Sequence, residues 1–260
     1  LRVLGVLCFV EVKMEFLHLC IPALAIFLAS FFATVTGFGF GLIAIPLMSL
    51  VISVKVAIIC GLIITVLLRI ITMYNTRKTF SWDVVLTTVL GSSLGMIPGS
   101  YMLKIISLAH LKIFLGSVLL IATYLMGRKY HLEIKSKTLG RLTAGFFSGF
   151  FGSSTSVAGP PLVIYFLNEG TEKDKMRANM IWIFGISFVG MLIVNFLMGN
   201  MQNITDWNII LPMIPAMIAG IVLGEKFFER LDQALFRKLA LCIVCVGAVM
   251  MLISGVREIV

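Results

Sequence analysis

The sequence predicts an all-α integral membrane protein with about eight to ten membrane segments in two inverted repeats, whose helices are broken by glycine and proline. Three observations predict this fold: an apolar composition, apolar runs separated by polar breaks, and a second half that resembles the first. Of the 260 residues, 60% are hydrophobic and 13% are charged, with a mean hydropathy of +1.08. Because soluble domains carry about 25% charged residues, this composition excludes a water-soluble fold and requires a lipid bilayer.

The net charge of +9 has an explanation that needs no nucleic acid. Membrane proteins concentrate Lys and Arg in their cytoplasmic loops, which alone makes them basic. The five cysteines lie mostly inside apolar runs, and Cys242 and Cys245 form a CxxC without a second ligand pair. Such cysteines are usually small buried hydrophobic residues. The sequence therefore predicts no nucleic-acid partner, no metal site and no cofactor.

Polar breaks divide the chain into ten apolar segments, most of them near the ~20 residues that cross a bilayer. The segments lie near residues 16–36, 39–53, 56–76, 83–103, 109–127, 139–152, 157–168, 176–199, 207–227 and 234–256. The domains predicted from them are an N-terminal extension (1–15), a first transmembrane repeat (16–127), a cytoplasmic linker (128–138) and a second transmembrane repeat (139–260).

The two halves share an ordered series of residues. The segment "SWDVVLTTVLGSSLGMIPGSYM" aligns with "DWNIILPMIPAMIAGIVLGEKF" 125 residues later, which places Gly95 on Gly220. Further towards the N-terminus, "TGFGFGLIAIPL" corresponds to "SGFFGSSTSVAGPPL", which pairs Gly37 with Gly149. The series predicts an internal duplication.

The distribution of basic residues predicts the orientation. If every segment crosses, or if each short pair turns back within the membrane, fourteen Lys and Arg lie on the side of the central linker and six on the other. The positive-inside rule then puts the linker in the cytoplasm and both termini outside. Each half makes an odd number of crossings, so the halves are inverted. We expect a multi-pass protein of the cell inner (cytoplasmic) membrane.

Two breaks combine glycines, hydroxyls and prolines within apolar runs. Glycine permits left-handed backbone, and a broken membrane helix exposes N–H groups at a positive helix end, which suits a small anion. Close packing of helices is the alternative explanation for small residues there. The candidate substrate-binding residues are Thr36, Gly37, Phe38, Gly39, Gly41 and Pro46 in the first break and Gly152, Ser153, Ser154, Thr155, Ser156, Gly159 and Pro160 in the second.

Two polar residues inside long apolar runs add to the candidates. Arg69 is costly in lipid and so indicates function, but it lies about two turns from Arg77 and could instead extend to the cytoplasmic surface. Both readings of Arg69 stay open. Asn195 is either a hydrogen-bonding contact between helices, which we favour, or a polar ligand of the site.

The motifs resemble the TauE/SafE family of sulfite exporter-like permeases. The pattern G-F-G-x-G followed by proline is present as Gly37, Phe38, Gly39, Gly41 and Pro46. The pattern G-P-P is present at residues 159–161, preceded here by alanine. The resemblance covers about residues 16–256. It implies transport of small sulfur-containing anions or organic acids, such as sulfite or sulfonates.

The sequence thus predicts a secondary transporter, a permease or exporter that moves a small anion by alternating access. No catalytic residues are predicted: no central His can activate the serines, and no phosphate-binding loop is present. A solute channel and a non-transporting subunit of a membrane complex are the alternatives. A homodimer and a coupling ion, proton or sodium, stay open as further partners.

Overall fold

The computed structural model describes residues 20–48, 51–105, 107–127, 136–201 and 210–258, and every regular element within these ranges is helical. The predicted N-terminal extension and most of the predicted linker lie outside the described residues. Residues 206–209, which begin the second segment of the repeat alignment, also lie outside the described residues.

The helices match the predicted segments closely. In chain order they are α1 (Cys20–Thr36), α2 (Phe40–Met48), α3 (Val54–Thr76), α4 (Trp82–Ile105), α5 (Leu108–Gly127), α6 (Lys137–Thr155), α7 (Gly159–Asn168), α8 (Lys173–Leu197), α9 (Ile214–Phe228) and α10 (Gln233–Arg257). A short 3-10 turn, Leu211–Met213, leads into α9.

Five helices of the described residues are long and apolar enough to cross a membrane. These spans are Val56–Thr76, Trp82–Ile105, Lys173–Leu197, Leu211–Phe228 and Gln233–Arg257. Helix α1 is apolar but shorter. The chain is therefore a multi-pass membrane protein that is helical throughout its described residues, and five of its eight to ten predicted segments have the length and composition of full spans.

The helices of the two halves follow in the same order, but their register differs from the sequence alignment. Helix α1 ends at Thr36 and α2 begins at Phe40, while α6 ends at Thr155 and α7 begins at Gly159. Gly37 therefore corresponds in position to Ser156, and its predicted counterpart Gly149 lies inside α6. Because glycines recur throughout both segments, aligning glycine with glycine does not determine the register between the two halves.

Helices α4 and α6 pack with their backbones in contact, along what we call the glycine seam. A Cβ on Gly95 would lie 2.9 Å from the carbonyl carbon of Phe146 and would overlap the carbonyl oxygen of that residue. Small residues allow membrane helices to approach this closely. The seam consists of Gly91, Gly95 and Gly99 of α4 against carbonyls of Leu142, Phe146 and Phe150, with Gly145 and Gly149 of α6 against carbonyls of Thr88 and Ser92.

A second close contact joins α9 to α1 with the same spacing. A Cβ on Gly220 would lie 2.6 Å from the carbonyl oxygen of Phe27, and one on Gly224 would lie 2.9 Å from that of Phe31. Helices α5 and α10 also approach closely, with Gly255 against the Ala109 carbonyl. Each of these contacts joins one helix of the first half to one of the second half.

Asn195 links three helices, as predicted for a polar residue between membrane helices. Its amide nitrogen donates to the carbonyl oxygens of Met191 in α8 and Ser153 in α6, at 2.9 and 3.4 Å. Its amide oxygen accepts from the Ser100 hydroxyl of α4 at 3.1 Å and from Asn200 at 2.9 Å. The side chain is fully buried, so these bonds satisfy groups that lipid could not.

Candidate anion site

The first helix interruption is held in a defined shape by left-handed glycines and one hydroxyl. Gly37 and Gly39 have φ angles of 81° and 93°, which glycine adopts without strain. The Thr36 hydroxyl donates to the carbonyl of Phe32 at 2.8 Å and to that of Phe38 at 3.0 Å. Thr36 therefore stabilises the turn between α1 and α2 rather than presenting its hydroxyl to a ligand.

The second interruption repeats this geometry with a serine in the left-handed position. Ser156 has a φ of 61°, and its N–H donates to the Gly152 carbonyl at 2.9 Å. The Thr155 hydroxyl donates to the Phe151 carbonyl at 2.7 Å and accepts from the Val157 N–H at 3.3 Å. Thr155 thus makes the same kind of helix-ending bond in this half as Thr36 makes in the other.

The two interruptions meet at one buried cavity, which we call the central cavity. Gly41 lies so close to the Ser156 carbonyl that a Cβ would overlap it. The cavity has about 10 Å³ of space for the centre of a water molecule, which is room for roughly one water. It is lined by Phe38, Gly39, Phe40, Gly41, Leu42, Thr65, Arg69, Ser156, Val157, Ala158, Gly159, Phe184 and Phe188.

Helix N-termini give the central cavity its positive backbone groups. The first N–H groups of α2 have no acceptor within the helix, and the first helical bond that follows the turn runs from Ile43 to Gly39, at 3.3 Å. Helix α7 contributes fewer N–H groups, since Pro160 and Pro161 carry none. The first break is therefore the richer source of donors for an anion.

Arg69 supplies a buried guanidinium at the same place. The residue is 1% exposed, so it does not extend to the membrane surface, and that alternative is wrong. Its Nη2 donates to the Gly37 carbonyl at 3.0 Å, and its Cζ lies 5.5 Å from the ring centre of Phe184. Its Nε and Nη1 have no hydrogen-bond partner among the described residues. Arginine therefore brings unused donors and a positive charge to the cavity.

A second arginine, Arg177, packs against Gly37. Arg177 forms an ion pair with Glu225, Nη2 to Oε2 at 2.7 Å, and its Nε donates to the Thr34 carbonyl at 2.7 Å. Asn75 donates to the other oxygen of Glu225 at 3.2 Å. This group of side chains, of which only Arg177 is buried, joins α8, α9, α1 and α3. In the sequence analysis, Arg177 is one of the fourteen Lys and Arg that the charge count places on the side of the central linker.

The structure brings together some predicted site residues and separates others. Phe38, Gly39, Gly41, Arg69, Ser156 and Gly159 line the central cavity. The others do not line it: Thr36, Gly37, Pro46, Gly152, Ser153, Ser154, Thr155 and Pro160.

The serine and threonine cluster differs most from the expectation. Residues 152–155 belong to the last turn of α6, and the Ser154 hydroxyl donates to the Phe150 carbonyl at 2.8 Å. The expected N–H donors at Ser153–Thr155 are inside a helix, so Ser156 alone of this cluster reaches the central cavity. Sequence reasoning missed Thr65, Phe184 and Phe188 because single residues of long apolar helices carry no distinguishing pattern.

Long apolar helices and a buried cationic cavity at two helix interruptions define a multi-pass membrane protein of the transporter class. The chain belongs to the Sulfite exporter TauE/SafE family, whose family model matches residues 22–251. It is 22% identical over 235 residues to the probable sulfite/organosulfonate exporter TauE of Cupriavidus necator, covering 86% of this chain and 90% of that protein. No solved structure matches the chain. The family membership predicted from the glycine and G-P-P motifs is confirmed.

Proposed function

We propose that the protein is a secondary transporter that moves a small anion, such as sulfite, a sulfonate or a related organic acid, across the cytoplasmic membrane by alternating access. The proposal depends mainly on the burial and the unpaired donors of Arg69. A fully buried guanidinium with two unused donor nitrogens faces the cavity where the two helix interruptions meet. The name of the C. necator relative, a probable sulfite/organosulfonate exporter, agrees with an anionic substrate.

An oxyanion would replace its hydration shell with donors from three sources. The guanidinium offers a planar pair of N–H groups, which matches the oxygens of a sulfite or sulfonate group. The first turn of α2 offers backbone N–H groups at a positive helix end. The Ser156 hydroxyl, buried and without a partner among the described residues, offers one further donor. The anion would also neutralise the charge of Arg69.

The two long helices that flank the central cavity line it with different kinds of side chain, polar from α3 and aromatic from α8. Helix α3 contributes Thr65 and Arg69, while α8 contributes Phe184 and Phe188 at the corresponding positions, 119 residues later. We expect the charged group of the substrate to face α3 and its uncharged part to face α8. The same correspondence relates Thr36 to Thr155, which supports the inverted duplication as part of the proposal.

The size of the central cavity favours a carrier over a channel. Room for roughly one water is too little for an oxyanion of several non-hydrogen atoms, so the substrate can enter only if the surrounding helices move. The backbone of Arg177, whose side chain pairs with Glu225, lies beside Gly37, on the side that the charge distribution assigns to the cytoplasm. Opening and closing of such contacts is what alternating access requires.

Uptake of radiolabelled sulfite, methanesulfonate and acetate into proteoliposomes tests the proposed function. We expect saturable uptake of at least one of these anions, with each of the others competing according to its affinity. Uptake that rises linearly with concentration would instead indicate a channel, and no uptake of any of them would favour the non-transporting subunit. Repeating the assay with an imposed proton or sodium gradient identifies the coupling ion.

Ser156→Gly is expected to weaken substrate binding without loss of the fold. Glycine accepts the left-handed backbone at this position, so the variant removes the hydroxyl and leaves the turn relaxed. Loss of one hydrogen bond to a charged group raises the KM about tenfold, the equivalent of about 1.5 kcal/mol. The matched control is Ser154→Ala, since that hydroxyl bonds within α6. Equal KM values for both variants and the wild type would contradict a role for Ser156.

A further inference from the structure

A second cavity contains a buried lysine that the proposed central site does not use. It lies beside α2 and is lined by Ile45, Pro46, Ile58, Lys112, Thr155, Met251 and Ser254, with about 20 Å³ of space for the centre of a water molecule. Lys112 is 6% exposed. Its Nζ donates to Ser254 Oγ at 3.0 Å and pairs with Glu258 Oε1 at 2.5 Å.

The two members of this ion pair are unequal in their access to water. The side chain of Lys112 is 8% exposed, whereas that of Glu258 is 33% exposed. Glu258 follows the last residue of α10 as its C-cap, where the helix dipole disfavours a negative charge. Glu258 can therefore move into water at low cost, but Lys112 cannot. A buried ammonium needs an anion beside it, so another anion would take the place of Glu258.

Only a thin wall separates the second cavity from the central cavity. Thr155 lines the second cavity and its neighbour Ser156 lines the central one. Gly61 lies at the wall: a Cβ there would be 2.9 Å from Ile45 Cδ1 and 3.5 Å from Ser156 Oγ. An anion that leaves the central cavity through this wall would meet Lys112 next.

We propose that Lys112, with Ser254, forms a second binding site for the transported anion, where the anion exchanges with the Glu258 carboxylate. This inference rests on the proposed function and adds a step to it. The substrate would pass between two cations, Arg69 and Lys112, each of which holds it weakly enough to release it. Glu258 occupies Lys112 whenever the substrate is absent, which keeps the buried charge paired.

Equilibrium binding of radiolabelled methanesulfonate to the purified protein in nanodiscs tests this site. We expect two binding events in the wild type. Lys112→Gln should remove the weaker event, while Lys112→Arg keeps it. Lys104→Gln is the matched control, because Lys104 is an exposed lysine at the end of α4. An unchanged number of binding events in Lys112→Gln would overturn the proposal.

Glu258→Gln gives a test that does not depend on the stability of the lysine variants. Removing the competing carboxylate should lower the Kd of the weaker event about fivefold, as expected for a partly exposed ion pair. An unchanged or higher Kd would contradict the exchange. Arg69→Gln separates the two hypotheses: it should remove the tighter event alone. If it removes neither event, the central site is wrong, whatever the outcome at Lys112.

Discussion

Arg69→Gln is expected to reduce transport strongly while leaving the protein at least as stable as the wild type. The guanidinium carries two donor nitrogens without a partner among the described residues, and no ion pair to it is found there. This buried charge therefore contributes little to the free energy of unfolding. It would contribute much more to the binding of an anionic substrate. We expect kcat/KM to fall about thirtyfold, which is the equivalent of losing about 2 kcal/mol of charge-assisted binding. Proteoliposome uptake measures the loss, and thermal unfolding in detergent measures stability.

Two controls separate the charge of Arg69 from its packing. Arg69→Lys keeps the charge but not the planar pair of N–H groups, so it should retain part of the affinity. Arg77→Gln changes an exposed arginine just past the end of the same helix and should leave transport unchanged. If Arg69→Gln transports normally, or if it loses activity only because it unfolds, the central site is wrong.

Gly95→Ala is expected to destabilise the protein strongly. The added Cβ would overlap the Phe146 carbonyl and lie 2.9 Å from both Phe146 C and Phe150 N, all of which are backbone atoms that cannot turn aside. The backbones of α4 and α6 must separate along the whole glycine seam, which we expect to cost about 1–3 kcal/mol. A lower unfolding temperature in detergent would measure this cost.

Gly190→Ala is the matched control for the seam. It lies in α8, where an added Cβ would meet only Met96 Cε and Sδ, both at 3.1 Å, at the flexible end of a side chain. Alanine favours the helix by up to about 1 kcal/mol over glycine, so this variant should be as stable as the wild type or more stable. If both variants unfold at the same temperature, the seam does not hold α4 and α6 together.

The sequence predicted the family and the helices because each has a local pattern, and the same kind of pattern marked Arg69 as a candidate. Apolar length locates helices such as α3, and an arginine inside an apolar run stands out without any structure. The helix ends at Thr36 and Thr155 lie within a few residues of the glycine and proline motifs. Local signals were therefore sufficient for the all-helical membrane class, and they singled out Arg69 as a residue to test.

The sequence could not predict which side chains face the central cavity. Four consecutive hydroxyls look alike in the sequence, yet Ser154 and Thr155 bond to their own helix and Ser156 points to the cavity. That choice depends on where α6 ends and the chain turns left-handed. Phe184 and Arg177 likewise acquire their roles from helices that are distant in the sequence. Such contacts are set by tertiary packing and leave no local pattern.

The glycine contacts described above cross between the halves, which limits how the molecule can move. Helix α4 is in backbone contact with α6, and α9 with α1, so each half is interlocked with the other rather than lying beside it. A sliding motion along these contacts would drive carbonyl oxygens into glycine Cα atoms. In the proposed transport cycle, the bodies that rearrange must therefore be mixed pairs of helices, one from each half, rather than the two halves themselves.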